Sequence, residues 1–422
     1  MTESLGSRVS KASPLGAAGR NNTVWVVVGL ALGPAVVLGL ARFAYALLLP
    51  PMRADLHWSL GTAGAMNSAN ALGYLAGALV TARLARRYGA RRSFLVALGV
   101  TVASLLLTAA SGDTVVLLAL RTVAGVSGAV AFIAGAGLVA EVAASATVHR
   151  ATMLLGIYFA GGGAGIVISG LSVPALLAAV PTSIGWRWGW VLLGALGVVA
   201  LVPAWLAGRA SGEPPPPPQH DRRWPAPHFV ALLGSYALFG AGYIAYMTFI
   251  VAFLRDGGAG TAEITAFWAV LGVASILGAF CWVRPIARLR GGRGAGVVLA
   301  VVAAGAVLPL VSRSAPVAMA SAVLFGGSFL AVVTSVTAVA RRSLRPHHWT
   351  PAIAALTVAF AAGQCVGPIL TGVLSEGPAG LRIGLGVSAG LLVAAALTTL
   401  GQRHLEDRPD MIVAPLDVSV AE

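Results

Sequence analysis

Apolar stretches of about 20 residues recur along almost the whole chain, and they limit its fold more than any other feature. A helix of that length crosses the hydrocarbon core of a bilayer. Hydrophobic residues make up 58% of the 422 residues and charged residues only 10%, a balance unlike that of soluble domains. The pattern predicts an all-α polytopic membrane protein.

The apolar runs predict twelve transmembrane helices. The predicted spans are residues 24–49, 59–82, 93–111, 114–140, 151–179, 186–208, 228–254, 262–283, 294–312, 315–339, 351–374 and 380–401. An even number places both termini on one face, where the gaps and tails hold 21 basic residues against five on the other face. The positive-inside rule therefore predicts cytoplasmic termini and a place in the cytoplasmic (plasma) membrane. Trp186, Trp188 and Trp190 lie near a span end and are expected in the interfacial aromatic belt.

A proline run, Pro214 to Pro218, separates two blocks of six spans and favours an extended linker. The expected organisation is an N-terminal tail (1–23), a first six-helix bundle (24–208), a proline-rich linker (209–227), a second six-helix bundle (228–401) and a C-terminal tail (402–422). The tails and the linker are expected to be cytoplasmic.

The two blocks repeat weakly at an offset of 201 to 202 residues. Gly39–Tyr45 aligns with Gly240–Tyr246, so that Tyr243 stands at the position of Arg42. Parallel repeats of this kind build one class of secondary transporter, in which two halves rock around a site at the midplane.

Three segments carry a family resemblance: Gly39–Met52, Asn70–Tyr74 and Gly242–Phe249. They resemble the YbfB/YjiJ-type branch of the major facilitator superfamily (MFS), and the resemblance extends over residues 24 to 401. It implies the MFS fold, two six-helix bundles, and alternating-access transport of a small solute. Arg121 and Gly125 in span 4 are similar to a further motif of the superfamily.

The loop between spans 2 and 3 resembles the superfamily's loop motif, with Gly89 in place and Arg86 where the motif has aspartate. Both residues are candidate gating residues. A second gating set lies in spans 5 and 11, where small residues let helices approach closely. We expect these residues at the interface between the two bundles: Gly161, Gly165, Gly363, Gly367 and Pro368.

Arg42 and Arg121 are the two basic residues inside predicted spans. A charge there is costly unless it faces protein or a water-filled cavity. The resemblance places spans 1, 4, 7 and 10 around the central cavity, where a guanidinium fork suits carboxylate or phosphate. Two alternatives remain open: Arg42 could extend to the outer interface, and Arg121 could be structural.

Polar side chains in the spans could complete a substrate site with these arginines, although hydrogen bonds between helices would explain each of them equally well. The candidates are Tyr45, Asn67, Asn70, Tyr243, Tyr246 and Gln364. The fourteen acids and seven histidines all lie in tails, loops or span ends. Glu141, at the end of span 4, is the candidate for proton coupling.

These features predict a transporter of a small organic anion, with export or exchange favoured by an inside-negative potential. The alternative is proton-coupled efflux of hydrophobic or cationic drugs and toxicants. Neither an enzyme, a metal site, a cofactor nor a nucleic-acid partner is expected, because buried acid or histidine clusters are missing and the positive charge follows membrane topology. The expected partners are the substrate and the lipid bilayer, with the chain acting as a monomer.

Overall fold

A computed structural model describes residues 17–214, 226–289, 291–377 and 380–402. The rest of the predicted tails and linker, including residues 215–218 of the proline run, lies outside this part. The first long helix, α1, consists of the consecutive sections Ala17–Pro34, Ala35–Phe43 and Tyr45–Asp55. The others are α2 (Leu60–Tyr88), α3 (Ala90–Ala110), α4 (Thr114–Val142), α5 (Val148–Ala179), α6 (Gly185–Ala210), α7 (Val230–Asp256), α8 (Thr261–Cys281), α9 (Arg293–Val311), α10 (Ala315–Ser343), α11 (Pro346–Leu374) and α12 (Leu381–Thr398).

The all-helical, twelve-span prediction is confirmed for the described residues. Eleven of these helices are long and apolar enough to cross a membrane. The exception is α2, which is 29 residues long but carries Asn67, Ser68 and Asn70 on its buried side. These polar side chains lower the hydropathy of α2, and they face the interior of the protein rather than the lipid.

Hydrogen bonds define two opposite faces of the helix bundle. On one, the Gln402 amide after α12 donates to the His228 carbonyl before α7, and Glu213 after α6 accepts from the N–H of Ala90. We call it the linker face. On the other, the far face, the Trp186 indole at the start of α6 donates to Asp55 at the end of α1, over 2.8 Å.

Each half uses the same glycine contacts. A Cβ on Gly161 or Gly165 of α5 would collide with backbone atoms of α1, and one on Gly363 or Gly367 of α11 would collide with backbone atoms of α7. The prediction that these four glycines lie between the halves is therefore wrong. The glycine faces of α5 and α11 pack against a helix of the same half instead.

Contact between the halves runs along α5 with α8 and along α2 with α11. Gly163 of α5 faces Gly272 of α8, on the side of α5 away from α1. Gly64 of α2 faces the carbonyl of Pro368 in α11, so that Pro368 does lie at the interface where it was expected. Closer to the far face, the Gly61 N–H donates to the Glu376 carboxylate over 2.8 Å.

Candidate functional site

Arg42 lies in a widened section of α1. Pro34 has no N–H to continue the α-helical pattern, and Ala35–Phe43 after it is a π-helix, a geometry that often marks functional sites. Only 4% of Arg42 is exposed. Its guanidinium donates to Gln364 Oε1 over 2.6 Å and lies 5.2 Å from the Tyr74 ring centroid. Arg42 therefore points into the protein and does not reach the outer interface.

Gln364 continues this contact into the second half. Its Nε2 donates to the Tyr243 hydroxyl over 2.8 Å. One amide side chain on α11 thus joins Arg42 of α1 to the residue at the corresponding position of α7.

Arg121 of α4 is 2% exposed and has partners on three sides. It donates to the Ala41 carbonyl over 2.5 Å and to Asn67 Oδ1 over 2.8 Å, and it lies 4.9 Å from the Tyr45 ring centroid. Asn67 in turn donates to the Thr248 hydroxyl of α7 over 2.7 Å. A second amide bridge therefore runs from an arginine of the first half to α7.

No carboxylate contacts Arg42 or Arg121 within the part of the chain that the structure describes. Both guanidiniums donate to neutral oxygens. These oxygens satisfy the hydrogen-bond donors but do not neutralise the positive charge. Charged groups in a membrane interior are stable only when paired or solvated in a cavity. The centre of the protein thus carries two positive charges for which the described residues supply no counter-ion.

Stacked rings form the second half's side of this centre. Tyr243 stacks on Phe239 with centroids 4.9 Å apart and on Phe360 at 5.5 Å, and the series continues through Phe329 and Phe325 to Tyr246. We call these rings, with Tyr236, the aromatic stack. The stack offers flat apolar surface beside the Arg42–Gln364 pair.

The structure brings most of the predicted substrate residues together, and it separates from them Asn70 and the predicted coupling residue Glu141. Arg42, Gln364 and Tyr243 form one group, Arg121, Asn67 and Tyr45 another, and Tyr246 lies at the end of the aromatic stack. Asn70 donates only to the Arg121 carbonyl, at 3.1 Å, and so joins α2 to α4. Glu141 is half-buried on the linker face, about 30 Å along α4 from Arg121.

Thr248 and Trp190 were not among the predicted site residues. Trp190 was expected in the aromatic belt with Trp186, but both indoles are fully buried, and that prediction is wrong for these two. The Trp190 ring lies 5.7 Å from the Arg121 guanidinium. The available signals were weak, because Thr248 also bonds its own helix at the Ile244 carbonyl and Trp190 lies close to a span end.

The turn between α2 and α3 has a different chemistry from the superfamily motif. Gly89 adopts φ +85°, a region that favours glycine, and Arg86 is exposed. Glu213 accepts from the N–H groups of Ala90 and Arg91 at the start of α3. An acid at the start of the linker thus binds this turn, where the motif has its own aspartate.

No group of three or more His, Cys, Asp or Glu side chains could hold a metal ion in residues 17–214, 226–289, 291–377 and 380–402. What the helices surround is a charged and aromatic centre between two similar halves. This architecture defines an MFS-type membrane transporter.

Comparison with known proteins gives the family. Residues 34–400 match the family described as "Uncharacterised MFS-type transporter YbfB", and the chain belongs to it. A curated relative, the "Chloramphenicol resistance protein" of Streptomyces lividans, is 30% identical over 384 residues, which cover 85% of this chain and 91% of the relative.

Solved structures share the fold at low sequence identity. A bacterial homologue of the human lysosomal transporter Spinster, inward-facing and unoccupied, superposes with a TM-score of 0.71 at 18% identity, covering 93% of this chain and 99% of that one. The nucleoside transporter NupG gives 0.66 at 12% identity, covering 90% and 98%. Together with the family match, this fold makes the chain an integral membrane transporter.

Proposed function

We propose that this transporter exports or exchanges a small organic anion by alternating access. The observation that carries the proposal is the pair of buried guanidiniums, Arg42 and Arg121, without a carboxylate partner among the described residues. An anion between the halves supplies the missing counter-charge. A cation would add to the uncompensated charge instead.

The bonding geometry suits an anion that competes with protein amides. Arg42 now donates to Gln364, and Arg121 to Asn67, and both acceptors are neutral. Charge-assisted hydrogen bonds to carboxylate or phosphate are roughly twice as strong as neutral ones. The substrate therefore displaces the amide oxygens when it binds.

This exchange links binding to movement. Gln364 of α11 accepts from Arg42 of α1, and Asn67 of α2 donates to Thr248 of α7, so both amides bridge the halves. An anion that takes over Arg42 releases the Arg42–Gln364 bridge, and one that takes over Arg121 frees the Asn67 oxygen, which helps to orient the amide toward Thr248. Substrate binding then lowers the free-energy cost of rocking one half against the other, as alternating access requires.

The aromatic stack supports an anion with a flat or apolar body. Tyr243 belongs both to the stack and to the Gln364 contact. A ring or conjugated segment can lie against the stack while the acid group reaches the arginines, since aromatic pairs contribute about 0.5–1.5 kcal/mol beyond area burial.

The direction follows from topology. The excess of basic residues on the linker face supports a cytoplasmic position for that face, and the proposal takes the chain to act as a monomer in the plasma membrane. An inside-negative potential acts on each elementary charge with about 2.3 kcal/mol per 100 mV. Outward movement of an anion is therefore assisted and inward movement opposed. Glu141 is the candidate proton site if export is coupled to protons.

The second candidate is efflux of hydrophobic or cationic drugs, and the curated relative's name, "Chloramphenicol resistance protein", favours it. The aromatic stack also suits a neutral aromatic drug. The two candidates differ in the role of charge, because a neutral drug needs neither arginine as a counter-ion.

The experiment is transport by purified protein in liposomes loaded with benzoate or with chloramphenicol, at imposed potentials of either sign. The proposal expects benzoate efflux that accelerates when the lumen is negative and that fails in Arg42→Ala. Arg209→Ala is the matched control, since Arg209 is exposed and stacks on Trp205 at the end of α6. The opposite result would establish drug efflux: chloramphenicol efflux at a rate that neither the membrane potential nor Arg42→Ala changes, with no transport of benzoate.

A further inference from the structure

A cavity of about 530 Å³ opens on the far face, apart from the central site. It lies where the last turns of α1 and α7 meet, and these turns supply Arg53 and Arg255. His57 lines it from the turn between α1 and α2, where its backbone adopts φ +51°. Transport by the central arginines requires none of these side chains.

Arg53 and Arg255 lie in the corresponding last turns of α1 and α7. They are 202 residues apart, one position from the 201-residue offset that relates Arg42 to Tyr243 on the same two helices. The pseudo-symmetry therefore places two like charges in one cavity at the junction of the halves. Like charges repel at short range, and an anion between them removes the repulsion.

The hydrogen bonding of these arginines is incomplete. Arg255 Nε is buried and has no partner, which is costly for a donor removed from water. Arg53 Nε donates to the Trp58 carbonyl over 3.2 Å. Asp256 lines the same cavity, yet among the described residues it forms no ion pair with either arginine. Favourable placement of cations at helix C-termini explains the two charges but not the unbonded Nε.

We propose that this cavity is a second anion site, which binds a soluble carboxylate or phosphate between Arg53 and Arg255 with His57 at its edge. Eleven residues separate Arg53 from Arg42 on α1, about 16 Å of helix. The cavity therefore lies on the far-face side of the central arginines. It stands on its own residues and does not require Arg42 or Arg121 to bind substrate.

The test is residue-resolved protection from phenylglyoxal, which modifies accessible arginines. The protein is held in phosphatidylcholine nanodiscs, benzoate and inorganic phosphate are the probes, and mass spectrometry follows Arg53, Arg255 and Arg382. Arg382 is an exposed arginine of the far face outside the cavity. We expect either probe to slow modification of Arg53 and Arg255 at least about fivefold and to leave Arg382 unchanged, since bound anion occupies the guanidinium forks.

Variants separate this site from the central one. In Arg255→Gln, the probe concentration that half-protects Arg53 should rise about tenfold, because the bound anion loses one charged partner. Arg53→Gln should give the reciprocal result for Arg255. Arg42→Ala leaves protection intact. The proposal fails if neither probe protects, if Arg382 is protected equally, if Arg42→Ala abolishes protection, or if only added phosphatidylglycerol protects.

Discussion

Helices α1 and α7 occupy corresponding places in the two halves, and they differ most at the centre of the protein. Gly39 of α1 packs against the backbone of α5, and Gly240 of α7 packs against the backbone of α11. Three residues further along, α1 carries Arg42 and α7 carries Tyr243. Gln364 contacts both side chains.

The difference shows how a duplicated bundle becomes an asymmetric binding site. Positions that set the distance between backbones are the same in both halves, because a side chain there would prevent the crossing. Positions that face the centre are free to differ. The first half supplies charge and the second supplies the aromatic stack, so a substrate with an acid group and an apolar body has one orientation between them.

The largest expected effect concerns the part that the halves share. Gly165→Ala and Gly363→Ala each place a Cβ against backbone atoms of the neighbouring helix, and overpacking of this kind costs about 1–3 kcal/mol or more. We expect both variants to lose most of their folded, monodisperse protein, as measured by size-exclusion chromatography in detergent. Gly390→Ala is the control, since no atom lies within 4 Å of its added Cβ. Normal folding of either crossing variant would contradict the shared packing.

The next effect concerns the charge of the first half. Arg42→Ala should reduce anion transport about 100-fold, because a hydrogen bond to a charged group contributes about 1.5–3 kcal/mol. Arg42→Lys keeps the positive charge but loses the guanidinium fork, so its transport rate should lie between those of Arg42→Ala and the wild type. The measurement is initial efflux from liposomes, with Arg209→Ala as reference. Efflux of Arg42→Ala at the wild-type rate would make the arginine structural.

A smaller effect distinguishes two tyrosines of α7. Tyr243→Phe leaves the Gln364 amide without its acceptor. The half-saturating anion concentration should therefore rise about 2- to 10-fold, the equivalent of losing one neutral hydrogen bond. Tyr246→Phe removes a bond to Ser321 of similar length but should change only the melting temperature. Equal effects on half-saturation would remove the special role of the residue that corresponds to Arg42.

The smallest effect concerns the contact between the halves on the far face. Glu376→Gln keeps an acceptor for the Gly61 N–H but loses the charge at the start of α2, about 0.3–1 kcal/mol. Distances between spin labels attached at positions Ser183 and Ser314 should show that the population open at the far face is about two- to fivefold larger than in the wild type. Glu263→Gln makes the same change in a cap within α8 alone. If that control opens the far face equally, the Glu376 contact does not hold the halves together.

Much of the fold could be predicted from hydropathy, because a helix in lipid must be apolar over its whole length. The predicted span at 59–82 is the least apolar, and α2 continues six residues beyond it to Tyr88. Asn67 and Asn70 form hydrogen bonds with α4 and α7 inside the bundle, and the hydropathy of a single helix does not contain that information.

The site was predictable in its residue types but not in its pairings. Arg42 and Arg121 stand out as charges inside apolar runs, whereas the bond between Arg42 and Gln364 joins residues 322 positions apart. Periodicity along one helix gives the face on which a residue lies and not the helix that covers that face. The same limit explains why Gly165 and Gly363 were expected between the halves, and why Trp190 was expected near lipid.

The central claim is that Arg42 and Arg121 form one anion site between unlike halves. It is tested most directly by the melting temperatures of the wild type, Arg42→Ala and Arg121→Ala with organic anions, organic cations and neutral drugs, since a ligand stabilises the state that it binds. We expect one class of anion to raise the melting temperature of the wild type, and both substitutions to abolish that rise. Stabilisation by cationic or neutral compounds that persists in both variants would contradict the claim.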